Sequence, residues 1–496
     1  MTRAWAVLLA VSLSALGSSS ARASEPPAPL LSLALEDGQP SEPPRSDVLT
    51  LDEVLDSMLG LDPRLDAAQR SIESADGKLL AARGGFDSKL ALRGLVQPLS
   101  YYQHGLIDVR VEQPTPLWGL GVWAGWRLGV GEFPIYEGKL QTASGGELRA
   151  GVTLPLWQGG PIDQTRADIR QAELGRERAQ LQLDAKTLEL QAEAAEAYWL
   201  WVAAGLNLQI ERSLLELARE RDAGLQRQIE LGAIEAIVGA DNRRLVLSRE
   251  ARVVTAEREF QAASLELSLF LRDAAGEPII AGVDRLPTRM PEPTPPAAID
   301  LEAAIATAVE RRPDLAATQT TREQAEVELR LATNLRSPSI DLSVWTAKDL
   351  GVGPVELMPV EVAGALEVEI PIPLRKARGR MQTARAELGR VDAELRFARD
   401  RIAVDVRDAH AAVVAAFERA RLAGEQVDLA EALARAELRR FNLGAGDLLL
   451  VNLRELATAT AAHEQVDALA AYFVAAARLR VAMGQSVHSV YDGSRP

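Results

Sequence analysis

"VTLPLWQGGP" (152–161) opens on an alternating strand pattern, closes on Gly159-Gly160 and a proline, and is followed by a run from Ile162 to Glu277 that contains no proline. The stretch 366–380, "LEVEIPIPLRKARGR", repeats this arrangement, and after Pro373 no proline occurs before Pro496. Proline breaks a helix interior and removes a donor from a sheet ladder. A proline at each joint, with none in the long run that follows, therefore reads as a strand feeding a very long helix, twice. Pro155, Gly159 and Gly160 mark the first strand-to-helix hinge, and Pro371 and Pro373 the second, because proline ends the ladder and glycine accepts the dihedrals of a sharp turn.

The helical pattern after each hinge is sustained. Ile402, Val406, Ala409, Val413, Ala416, Ala420, Ala423, Val427 and Ala430 step by four and three, a heptad seam, and Leu190, Ala194, Ala197, Trp201, Ala204 and Leu208 do the same in the first copy until Glu211 interrupts them. Alanine at most seam positions lets helix axes approach closely. The pattern predicts long helices over about 163–231 and 375–443, each roughly 100 Å at ~1.5 Å per residue, more than three times the hydrocarbon thickness of a bilayer. The shorter helices about 50–83 and 234–271 together nearly equal one long helix, so stacked end to end they would line it.

Shifting the chain by 250 residues superposes 49–82 on 299–332 without a gap, matching Leu51, Pro63, Leu65, Ala67, Gln69, Glu73, Ala75, Leu79 and Ala82 with Leu301, Pro313, Leu315, Ala317, Gln319, Glu323, Ala325, Leu329 and Ala332. "AELGR" recurs at 172–176 and 386–390, and "LGA" at 231–233 and 443–445. The chain is a tandem duplication. Its segments read as a secretory signal at 1–23, with an apolar run from Ala4 to Leu16 and an A-x-A site at Ala21-Arg22-Ala23; a proline-rich segment at 24–47; a first repeat at 48–271; a linker at 272–298; a second repeat at 299–484; and a tail at 485–496.

Strand candidates fill about 86–157 and 338–374. Ile107, Val109 and Val111 alternate with Asp108, Arg110 and Glu112; Leu148, Ala150, Val152 and Leu154 with Glu147, Arg149, Gly151 and Thr153; and Leu366, Val368 and Ile370 with Glu367 and Glu369. Such alternation gives a sheet one apolar face. A soluble sandwich would show it too, but Trp118, Trp123, Trp126, Trp157 and Trp345 near strand ends favour a barrel with interfacial aromatics. No apolar run in the chain after the signal approaches a spanning helix, so any membrane crossing would be made by strands.

The 496 residues include no cysteine, which removes disulfides, thiol catalysis, zinc–cysteine sites and a lipid-modified N-terminal cysteine. The net charge of −15, with both signs interspersed, argues against a nucleic-acid partner. His104, His410, His463 and His488 have no metal-ligand spacing, "GLGVWAG" (119–125) misses the dinucleotide pattern, and no nucleophile elbow or phosphate loop occurs. The sequence gives no reason to expect an enzyme, a metal or a cofactor.

In order and spacing, the duplicated "DPRLDAA" and "RPDLAAT", "LPLWQGG" and "IPIPL" before the long helices, and "LGAGDLL" at 443–449 resemble the TolC-like outer-membrane efflux protein family over about 49–484. The resemblance implies an α+β fold in which long coiled-coil helices form a periplasmic α-barrel and the strands a transmembrane β-barrel in outer-membrane lipid, both completed by a homotrimer. It implies a passive channel-tunnel for efflux or type I secretion, served by a periplasmic adaptor and an inner-membrane pump of RND or ABC type. It places Leu231, Gly232, Ala233, Leu443, Gly444 and Ala445 at the helical turns where an adaptor docks. Glu230, Glu235 and Asp447 near those turns are candidates for an acidic selectivity ring, Arg439 and Arg440 are candidate partners for interhelical salt bridges closing the tip, and Asp447 also suits a helix N-cap. The family pattern has two strands per half, whereas 86–157 offers four. Residues 98–145 are then either an enlarged extracellular hairpin or extra barrel strands. The alternative to the channel is an exported coiled-coil spacer or adaptor without a pore.

Overall fold

The computed structural model describes residues 48–134, 140–232, 235–370, 372–443 and 445–487. The expected signal and proline-rich segments, Ala233, Pro371, Gly444 and the tail from 488 lie outside the described residues. Each half opens with two helices separated by one residue: α1 (Leu51–Leu61) and α2 (Pro63–Arg83), then α5 (Leu301–Arg311) and α6 (Pro313–Asn334). The early helix expected at 50–83 is thus split before Pro63, because proline disfavours helical dihedrals in the residue before it and then serves as the first residue of the next helix. Asp62 caps α2 by accepting from the Arg64 N–H at 2.8 Å.

The long helices are α3 (Gln164–Glu230) and α7 (Arg375–Asn442), of 67 and 68 residues, and the returning helices are α4 (Ala236–Leu267) and α8 (Leu448–Ala482). Helices α2 and α4 pack along α3, while α5, α6 and α8 pack along α7; α3 also touches α6 and α8, which joins the halves. The α7 seam is buried as its heptads require, with Ile402, Val406, Val413, Ala416, Ala420 and Ala423 all under a tenth exposed. No helix among the described residues is long and apolar enough to cross a membrane.

The main core lies midway along α3, at the apolar stretch 197–208. Trp201 is fully buried, Trp199 stacks on Phe473 of α8 at 4.3 Å, and the Tyr198 hydroxyl donates to the Leu49 carbonyl at 3.0 Å. Gly205 admits Leu286 of the inter-repeat segment, since a Cβ there would lie 2.5 Å from its Cδ1. Residues Leu271, Ala281, Leu286 and Met290 are buried in this core, so the segment between the repeats is a packed strap.

All strands belong to one antiparallel sheet in chain order: β1 (Lys89–Gln97), β2 (His104–Pro114), β3 (Gly121–Gly131), β4 (Glu147–Pro155), β5 (Ser339–Asp349) and β6 (Glu361–Glu369). The stretch 98–145 thus contributes two strands to this sheet. Its β2 and β3 are full strands between β1 and β4, and their joining turn, 115–120, lies at the end of the sheet where β4 passes into α3.

Candidate functional site

The site residues expected from the sequence fall at the hinges and the helix tips, and the sheet's two faces differ in character. Register puts Leu90, Leu92, Val109, Val111, Val122, Trp126, Leu148, Val152, Leu154, Leu342, Val344, Val362, Leu366 and Val368 on one face. Leu90 and Leu92 are 73% exposed and Val362 is 75% exposed. Each such side chain withheld from apolar surroundings forgoes ~1.5–3 kcal/mol of burial energy, so the face is built for contact with something apolar.

The opposite face is charged and internally paired. Arg127 of β3 meets Glu147 of β4 at 2.6 Å, Arg149 of β4 bridges Asp108 of β2 and approaches Glu147 at 3.7 Å, and Arg110 pairs with Glu112 at 2.9 Å beneath its cation–π contact with Trp123. These pairs tie β2 and β3 to β4, so the inserted strands share the polar face as fully as the apolar one. Part of that face is covered by the segment joining β3 to β4. Leu140's carbonyl sits where a Gly129 Cβ would be, and Asp349 Oδ1 accepts from the Ala143 N–H at 2.8 Å.

At the first hinge, Leu156 and Gln158 extend the ladder by donating to the Ile340 and Pro338 carbonyls at 2.7 and 3.3 Å. Gly159 then takes φ +86°, and its N–H donates to Asn334 Oδ1 at 2.9 Å, linking the hinge to the second repeat. Asp163 caps α3, and Arg166 pairs with Asp163 at 2.9 Å while donating to the Gly159 and Gly160 carbonyls at 2.5 and 2.8 Å. The β2–β3 turn packs directly on this joint. A Cβ on Gly119 would lie 2.8 Å from Pro155 Cγ, and one on Gly160 would meet the Trp118 indole nitrogen at 2.5 Å. The second hinge has Pro373 followed by Leu374 at φ +64°, with no glycine, and Arg380 fastens it by donating to Glu328 of α6 at 2.6 Å.

The two helical tips end alike. Leu231 and Leu443 donate to the Arg227 and Arg439 carbonyls at 3.1 Å, and both side chains are 84% exposed. Gly232 has φ +71°, the left-handed conformation that stops a helix. Ala445 donates to the Arg440 carbonyl at 3.0 Å, and Asp447 caps α8 by accepting from the Leu449 N–H at 3.0 Å. Glu230 and Glu235 are exposed, Glu235 preceding α4 without a side-chain capping bond. Among the described residues the tip arginines make no ion pair to another helix. Arg440 pairs with Glu437 of its own helix at 3.2 Å, an i, i+3 neighbour on the same helical face, and exposed Arg439 has no ion pair among the described residues.

Bridging charges occur instead on the α3–α8 seam. Arg221 of α3 grips Glu455 of α8 at 2.5 Å. Further along, the His463 Nδ1 faces Asn207 Oδ1 and its Nε2 faces Glu211 Oε1, each at 2.9 Å, while Asn207 Nδ2 donates to Asp467 at 3.1 Å. Glu211, the residue that interrupts the first seam, is 6% exposed and also has Arg249 and Arg252 at 3.9 Å. Sequence reasoning missed this cluster because its two groups, on α3–α4 and on α8, are about 200 or more positions apart; the unexplained glutamate in an apolar seam was its one trace.

Residues 304–485 match the family model described as Outer membrane efflux protein. By structure, the chain is similar to the MtrE outer membrane channel of Neisseria gonorrhoeae in its open state (18% identity, TM-score 0.62, covering 88% of this chain and 89% of that one). It is similar to the outer membrane protein VceC of Vibrio cholerae (16% identity, TM-score 0.62, 88% and 96%) and to the CmeC outer membrane channel of Campylobacter jejuni (13% identity, TM-score 0.61, 94% of each). No curated protein matches the chain by sequence. The second half thus carries the sequence pattern of an outer membrane efflux protein, on a whole chain with the fold of outer-membrane channels.

Proposed function

We propose that this outer membrane efflux protein pattern, on a fold shared with outer-membrane channels, marks a passive channel-tunnel that spans the outer membrane with its strands and the periplasm with its helices. The observation that carries the reading is the sheet face of exposed Leu90, Leu92, Val152, Val362 and Leu366, set at the end of helices about 100 Å long. A lipid-facing barrel wall needs such a face; a periplasmic spacer does not. An open sheet cannot stand in lipid with unpaired edges, so several copies must close it, and we take three. A second, exposed apolar stripe on α7, with Phe397, Val404, Leu422, Leu429 and Leu433, supplies helix-to-helix contacts between copies.

The mechanism is conduction. The polar face, with its balanced Arg–Glu and Arg–Asp pairs, lines a wet lumen, and nothing here hydrolyses nucleotide, so energy comes from an inner-membrane pump of RND or ABC type through a periplasmic adaptor. Leu231 and Leu443, held outward at the tips, are the apolar knobs an adaptor hairpin would engage, with Gly232 and Ala445 shaping the turns and Ala233 and Gly444 as further candidate docking positions. Glu230, Glu235 and Asp447, repeated by symmetry, form the acidic mouth, and exposed Arg439 is available to pair between copies. Protein reconstituted in a planar bilayer should carry ions with neither nucleotide nor a proton gradient. Absence of conductance from correctly inserted protein would refute the channel.

A further inference from the structure

Removing β2 and β3 would leave four strands per chain, two from each half. The pairing shows six, and it also shows what the edges of the sheet can meet. A line of partners runs Lys89, Glu112, Trp123, Gly151, Trp345, Ala363, while β6 continues six residues beyond Ala363 to Glu369 towards the helices. The sheet therefore shears by six residues over five steps, about one residue per strand. With ~3.3 Å along a strand and ~4.8 Å between strands, this is a tilt of roughly 35°, within the range of membrane barrels.

If the helix ends of all strands lie at one level, the same shear sets Lys89 of the partner subunit opposite Glu369, and the register follows. The partner's Ala91 falls opposite Glu367, the partner's Arg93 opposite Ala365 and diagonal to Glu367, and the partner's Leu95 opposite Ala363. On the apolar face Leu90 meets Val368, Leu92 meets Leu366, Gly94 meets Gly364 and Val96 meets Val362. Both edge strands have nine residues and almost all of their side chains are exposed. The basic edge of β1 thus matches the acidic edge of β6, and on the apolar face Leu90, Leu92 and Val96 each meet an apolar residue, an agreement that a shift of one residue would destroy.

Resting on the channel reading, we propose that three copies close through this β1–β6 register into an eighteen-stranded barrel, six strands from each. Its backbone diameter would be roughly 34 Å, against roughly 22 Å for twelve strands at the same tilt. The inserted hairpin is then a wall-widening device. The β2–β3 turn, locked on the hinge through Gly119 and Trp118, carries the added strands at the point where α3 begins.

The test uses the chain's lack of cysteine. Variant A91C/E367C, oxidised in outer membranes, should run as a covalent trimer even after boiling, because within one chain these positions lie on opposite sheet edges, ~24 Å apart and beyond disulfide reach. L95C/A363C, in the same register, should behave alike, and A91C/A363C, out of register by four residues, should crosslink at least tenfold more slowly. Electron cryomicroscopy of the wild-type protein should then count eighteen strands. Trimers with twelve strands and the β2–β3 hairpin outside the wall would overturn the inference and leave the channel standing, as would in-register pairs that crosslink no faster than the control. A soluble monomer would overturn both.

Discussion

At the scale of single residues the repeats keep an interaction while exchanging its charges. Asp62-Pro63-Arg64 in the first half becomes Arg312-Pro313-Asp314 in the second, the pairs closing at 2.7 and 2.6 Å, and each arginine reaches on to its long helix, Arg64 to Glu193 at 3.1 Å and Arg312 to Asp405 at 3.0 Å. Burial alone would raise the Asp62 and Asp314 carboxyls, but the arginine hydrogen bonds and charges outweigh it and hold both below the usual aspartate range. Their stabilisation is therefore fully present above the unfolded value of ~3.9 and is lost as pH falls through the lowered folded values. Melting temperature should drop from about pH 4 downwards, and less steeply in D62N/D314N; equal slopes would show that the clamp is not the acid-sensitive element. The α3–α8 cluster gives a second prediction. H463L leaves the buried Glu211 carboxylate short of a hydrogen-bonding partner and should cost about 1–3 kcal/mol in denaturant unfolding, whereas the same change at His410 should cost under about 0.5 kcal/mol.

At the scale of elements, proline and glycine carried most of the legible information. The long helices run from Gln164 to Glu230 and from Arg375 to Asn442, within a residue of the spans expected from proline-free heptads, and all six strands show period-two alternation in the sequence. Less legible was which end of the sheet the 115–120 turn occupies, since alternation fixes faces but not strand order, and that only α7 among the long helices has an unbroken apolar seam was readable without revealing what Glu211 faces. The turn at the hinge gives a sharp prediction. G119A adds a Cβ at φ +71° against Pro155 and the Gly159 carbonyl, 2.8 and 2.9 Å away, and should lower stability by about 1–3 kcal/mol. G77A, in an open position on α2, should be neutral or stabilising. If the two behave alike in thermal melts, the turn does not bear on the hinge. On the sheet face, V152E/L154E should abolish membrane insertion, because a charge facing lipid costs a few kcal/mol; normal assembly would place that face elsewhere.

For the whole molecule, the duplication, the helical length and the one-sided sheet were all legible because they are periodic properties of a single chain. The closure proposed above was not, since it would depend on complementarity between β1 and β6, which sit at opposite ends of the strand order. Exposed stripes on the sheet and on α7 are the same fact at two levels: one copy leaves apolar surface that, on the proposed reading, lipid would cover at one end and other copies along the helices. The most direct measurement is fractionation of expressing cells, followed by electrophoresis of the outer-membrane fraction with and without boiling. A band in that fraction at about three chain masses unboiled, collapsing to one chain on boiling, is what the account predicts. A soluble periplasmic monomer, unchanged by boiling, would contradict it.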